Sequence, residues 1–200
     1  MNLHTTEGNA TADDRDKLTA GAASAAAVAR TILDGMTAGA RRQCVYSLAG
    51  YDSWLQDRSG FVKLWGIVRD LGAETRMRPA GLAVSILNRA ISGDAVRVRK
   101  PAGVDDAAVY AFRSQTGWSA VVVSWSPTPR DIEIIFPSGS AAPRRLLRIV
   151  APSPESTNEE RELVRVTEET LAGSGGVVKV ELPAYGLCVL AAGQEEKKSA

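Results

Sequence analysis

Apolar and polar residues recur with two different periods along this chain, and the change from one to the other falls near Asp94. Before it, Leu18, Ala22, Ala25, Ala29, Ile32, Leu33 and Met36 return at three- and four-residue steps, the spacing that gathers side chains on one face of a helix. Asp13, Asp14 and Asp16 precede that run as candidate N-caps whose charge suits the helix dipole, and Gly35 and Gly39 are stop signals. A second helix is expected from Pro79, with Leu82, Ala83, Ile86, Leu87, Ala90 and Ile91 as its stripe and a left-handed Gly93 at its end. Strands are expected at Asn2 to Thr6 and, buried, at Arg42 to Leu48, with a polar loop from Gly50 to Gly60. The predicted order is strand, helix, strand, helix. Phe61 to Leu71 is apolar without a clean period and fits strand and helix equally.

After Asp94 the pattern gives about eight β-like runs. They are Val96 to Arg99, Ala108 to Arg113, Ser119 to Trp125, Asp131 to Phe136, Leu146 to Val150, Leu163 to Thr167, Val177 to Leu182 and Leu187 to Ala191. Several alternate, as a sheet with one face in a core and one in water would, and an antiparallel β-sandwich closes such a set of strands. The fold class is thus an α+β chain in two parts, residues 1–93 and 94–193, with a polar tail at 194–200 expected to fray.

The chain has 200 residues and a formal net charge of +1, so it lacks the basic field with which nucleic-acid binders release counterions from phosphates. No run of ~18 apolar residues is present, so no membrane-spanning helix is expected. The Ala-rich run from Leu18 to Ala29 follows three aspartates and reads as a helix rather than a signal peptide, which makes the chain as written cytoplasmic by expectation. Cys44 and Cys188 lie in apolar segments as small hydrophobes, and His4 is the single histidine, so no zinc site is expected. No phosphate-cradling glycine motif opens a helix, and Gly173 to Gly176 reads as a turn, so no cofactor is expected either.

Short motifs then point to a family. Leu3-His4-Thr5-Thr6-Glu7-Gly8-Asn9, an Ala-rich helix, Val45-Tyr46-Ser47, a loop, Arg78-Pro79-Ala80-Gly81-Leu82-Ala83 and Leu87-Asn88-Arg89 follow one another in this order. The series resembles the end of retaining glycoside hydrolases of the β-xylosidase, α-L-iduronidase and arabinofuranosidase-like group. The resemblance covers most of the chain as diffuse patterns. It implies that residues 1–93 are the last strand–helix–strand–helix of a (β/α)8 barrel and that the barrel leads into a β-sandwich.

By that resemblance Glu7 takes the place of the catalytic nucleophile, at the end of the seventh barrel strand. Retaining enzymes need a second carboxylate ~5 to 5.5 Å away as acid/base. In the family it belongs to the fourth strand, which this sequence does not include. Asn158-Glu159 falls in the expected sandwich and does not replace it. The implied protein is a truncated or split glycosidase, inactive alone, whose open strand edges favour a partner chain or self-association.

Asn9 is a candidate for a sugar hydroxyl or equally a turn residue or helix N-cap, and Tyr46, Tyr51 and Trp54 are candidates for stacking on a sugar ring, with core packing an equal account of Tyr46. His4 reads as a strand-side polar residue, Trp65, Trp118 and Trp125 as core, and Asp105-Asp106 and Glu159-Glu160 as solvated loop acids. The rival to an enzyme is a module that binds carbohydrate or another protein through its β-sandwich, without catalysis.

Overall fold

The computed structural model describes residues 3–5, 20–45, 48, 66–69, 75–96, 98, 104–115, 117–138, 143–171 and 176–191. Strand β1 (Leu3–Thr5) and strand β2 (Ala40–Gln43) pair in parallel, with His4 opposite Arg42 and Thr5 opposite Gln43. Helix α1 (Ala22–Thr37) lies between them in sequence, as a parallel pair requires of its crossover. Helix α2 (Pro79–Ala90) follows, with proline in its first turn, where the missing N–H costs nothing.

Gly39, at φ +92°, turns the chain out of α1, so β2 begins at once at Ala40 and is over by Gln43, upstream of the 42–48 span expected. Gly93, at φ +88°, does the same after α2, and strand β3 (Asp94–Val96) starts two residues before its expected position. A Cβ on Gly93 would meet the Arg113 carbonyl oxygen of the neighbouring strand, so both conformation and space require glycine there.

The strands that follow are β4 (Ala107–Ser114), β5 (Gly117–Ser124), β6 (Arg130–Ile135), β7 (Arg145–Val150), β8 (Arg165–Thr170), β9 (Val177–Leu182) and β10 (Leu187–Ala191). Five of them join β3 in one antiparallel sheet in the order β3-β4-β5-β10-β7-β8, and β6 pairs with β9 in a separate ribbon. β8 starts later than its apolar run because the backbone N–H groups of Leu163 and Val164 are taken by the Asn158 side chain and cannot join a ladder.

The two-residue period of the strands sorts side chains between two cores. From β5, Val121 and Val123 join Tyr110, Phe112, Leu147, Ile149, Leu187 and Val189 against Ala25, Ala29 and Leu33 of α1 and Ala83, Ile86 and Leu87 of α2. Ala120 and Val122 point the other way, with Leu146, Cys188 and Leu190, onto Val178, Val180 and Leu182 of the ribbon and onto Phe136. The large sheet is therefore covered on both faces, by helices and by ribbon, where the sequence led us to expect one face in water. β5 and β10 read as nearly unbroken apolar runs for this reason.

The two thiols differ. Cys188 is buried and burial pushes it up to about 12, whereas Cys44 lies past the end of β2 and is exposed, contrary to its expected burial. A thiol reagent at pH 8 is expected to modify one cysteine in the folded chain and the second only in denaturant. Rapid labelling of both under native conditions would contradict the second core. Among the described residues no helix is long and apolar enough to cross a membrane.

Candidate functional site

β1 and β2 run side by side in the same direction, so their C-terminal ends open on one edge. In sequence Glu7 and Asn9 follow the end of β1, and Tyr46 follows the end of β2. Glu7, Asn9, Tyr46, Tyr51 and Trp54, the residues singled out from sequence, lie outside the described residues, as does Trp65. Their anchor points are described: Gln43, at the end of β2, donates from its side-chain amide to the Ile32 carbonyl of α1 (2.6 Å) and ties strand to helix.

Two other constellations emerge that sequence reasoning missed. The first joins the start of α2 to the loop between β7 and β8. Arg78, 1% exposed, donates through Nε and Nη2 to the two carboxylate oxygens of Glu159 (2.6 and 3.0 Å) and through Nη1 to the Gly66 carbonyl (3.3 Å). Beside it the buried Asn158 donates to the Met77 and Val164 carbonyls and accepts from the Leu163 and Val164 N–H groups. The same loop supplies the Ser156 and Pro154 carbonyls to the Ala22 and Ala23 N–H groups, satisfying two donors in the first turn of α1. Glu159 is thus half of a bidentate ion pair rather than a solvated loop acid, and Asp106 likewise pairs with Arg130.

The second constellation is a groove of about 440 Å³ between α1, the end of β5 and the turn before β10, lined by Ala23, Ala27, Arg30, Asp34, Trp125 and Tyr185. The Arg30 guanidinium covers one face of the Trp125 ring at 4.0 Å and faces the Asp34 carboxylate at 3.6 Å. The Tyr110 hydroxyl donates to the other Asp34 oxygen (2.6 Å), and burial, then this hydrogen bond, raises its pKa above the usual phenol range, so it remains a donor at any ordinary pH. Tyr185 sits in the turn before β10 at φ 48°, the one non-glycine residue with positive φ among those described, its N–H bonded to the Ser126 carbonyl. Trp118 and Trp125, expected in the core, are each half-buried, and Trp118 packs against the core under the ribbon.

No protein-family model matches this sequence, and no curated protein does. Solved structures do. An arabinofuranosidase superposes with TM-score 0.68 at 11% identity, over 94% of this chain and 42% of that one. The family 30 xylanase C of Talaromyces cellulolyticus superposes with TM-score 0.62 at 18% identity, over 97% and 41%. A monomeric β-xylosidase from Caulobacter crescentus gives 0.59 at 15%, over 94% and 45%. The fold is one that glycoside hydrolases carry. At these identities the likeness shows the fold alone, and the chain spans 41 to 45% of the length of these three enzymes. Among the described residues, no group of His, Cys, Asp or Glu side chains comes together as a metal site.

Proposed function

We propose that this chain is one part of a retaining O-glycoside hydrolase of the β-xylosidase, α-L-iduronidase and arabinofuranosidase-like group. Residues 1–93 are the closing segment of a (β/α)8 barrel, residues 94–193 its β-sandwich and 194–200 a tail. The observation that carries this reading is the parallel β1–α1–β2 unit, with Glu7 just beyond the first strand in sequence, because barrel enzymes build their sites from the segments after the C-terminal ends of parallel strands. The solved glycosidases add support, since they share the fold over nearly the whole of this chain while extending well beyond it.

In this reading Glu7 is the nucleophile: its carboxylate attacks the anomeric carbon and forms a glycosyl-enzyme that water later hydrolyses. Asn9, Tyr46, Tyr51 and Trp54 hold the sugar. The acid/base carboxylate that protonates the leaving oxygen comes from a barrel strand outside this sequence, so one half of the pair is present and turnover needs the other. The purified chain is expected to leave chromogenic xylosides, arabinosides and glucuronides at their uncatalysed rate. Co-expressed with a polypeptide that supplies the earlier barrel strands, it is expected to gain turnover that Glu7→Gln returns to background. Robust activity of the chain alone would refute the division of labour, and reconstituted activity that survives Glu7→Gln would refute the nucleophile.

A further inference from the structure

We propose that the groove beside Trp125 and Tyr185 binds one or two sugar rings of a neutral glycan, at a site that needs no catalytic carboxylate. This goes beyond the function above, because it involves neither Glu7 nor the ends of β1 and β2. A pyranose or furanose ring presents an apolar C–H face and a rim of hydroxyls, and the groove presents the matching surfaces. Tyr185 and Trp125 are its aromatic walls. Since one face of Trp125 lies under the Arg30 guanidinium, stacking falls to the Tyr185 ring, whose hydroxyl has no hydrogen-bond partner among the described residues.

The rim is polar and accessible: the Arg30 and Asp34 side chains are 48% and 57% exposed and stand 3.6 Å apart. A guanidinium donor and a carboxylate acceptor at that spacing suit two neighbouring hydroxyls. Tyr110 fixes the carboxylate from below through its 2.6 Å hydrogen bond. The two charges cancel within the groove, which selects a neutral sugar over a uronic acid or a phosphate. A volume of about 440 Å³ lies in the range of small-molecule sites. A second cavity of about 260 Å³ is also lined by Tyr185 and carries Glu181 at its wall, giving room for a further ring.

The backbone of Tyr185 adds an independent argument. A residue at φ 48° between two strands is most easily glycine or asparagine, and a bulky side chain there is strained. A ring held in that conformation at the junction of two cavities is accounted for by what it contacts rather than by the turn it makes.

The test is affinity gel electrophoresis of the full chain through soluble arabinoxylan and mixed-linkage β-glucan. Retardation is expected in at least one of them. Tyr185→Gly removes the ring while relaxing the backbone, so it should weaken binding about tenfold or more without lowering the unfolding midpoint. Ala27→Phe, at a half-buried helix position, fills the groove without deleting a contact and should weaken binding equally. Glu7→Gln should bind as the unaltered chain does. No retardation by either polysaccharide, or retardation unchanged in both groove variants, would overturn the site. Binding lost in Glu7→Gln but kept in Tyr185→Gly would overturn it too, while leaving the proposed function standing.

Discussion

Glu159→Ala is expected to cost about 3 to 5 kcal/mol of folding free energy, the size reported for removing one partner of a buried ion pair. Its partner explains the magnitude. Arg78 is 1% exposed, and two of its guanidinium nitrogens end on Glu159. Without that carboxylate the Gly66 carbonyl is the one acceptor left among the described residues, at long range, and a charge that cannot be given up stays buried. The converse change is milder. Arg78→Met leaves Glu159, whose side chain is 24% exposed, free to reach water, and the methionine fills much of the vacated space. A loss of about 1 to 2 kcal/mol is expected for it. Urea unfolding of both variants measures the asymmetry, and an Arg78→Met loss equal to or above that of Glu159→Ala would show that the guanidinium is not the group whose desolvation matters.

That ion pair shows where sequence reasoning stops. Its partners stand 81 residues apart, and no local pattern links an arginine ahead of a helix to one acid in a loop rich in acids. Elements fixed by neighbours in sequence were legible. Pro79 and Gly93 bracket α2 because one supplies a helical φ and the other a left-handed one, and the runs after Asp94 became strands within a few residues of where they were expected. What moved was set by distant partners, as when Asn158 took two N–H groups from the apolar start of β8.

The sites divide in the same way. Glu7 was reached by a resemblance of motifs and Asn9, Tyr46, Tyr51 and Trp54 by the fit of such side chains to a sugar, and of their surroundings the described residues give the parallel strand pair that precedes Glu7 and Tyr46. The groove was missed although fragments of it were visible. Arg30 and Asp34 stand one helical turn apart on the polar side of the α1 stripe, and Pro183 and Gly186 bracket Tyr185 in a turn between two β runs. Nothing local says that the helix and that turn meet, because the sheet that joins them pairs β5 with β10, strands far apart in the chain.

Phe112→Ala is expected to cost about 3 to 5 kcal/mol, and to do so in every part of the chain at once. Its ring is fully buried where β4 faces the helices, in a core drawn from α1, α2 and four strands of the large sheet. A cavity there removes contacts from both sides of the proposed division at Asp94. The cluster that holds the ring takes Leu33 and Ile86 from before Asp94 and Val121 and Leu147 from after it. If the two parts held separate cores, helix and sheet signals would respond differently to the substitution. One shared core requires that circular dichroism at 222 nm, dominated by the helices, and the near-ultraviolet signal of the aromatic side chains shift together to the same lower midpoint. Two separated transitions would mean that the face of the sheet under α1 and α2 holds its packing without them. The same coupling predicts that residues 94–193 alone would expose Tyr110, Phe112, Val121, Val123, Leu147, Ile149, Leu187 and Val189 to water, an apolar face too large for a stable soluble sheet.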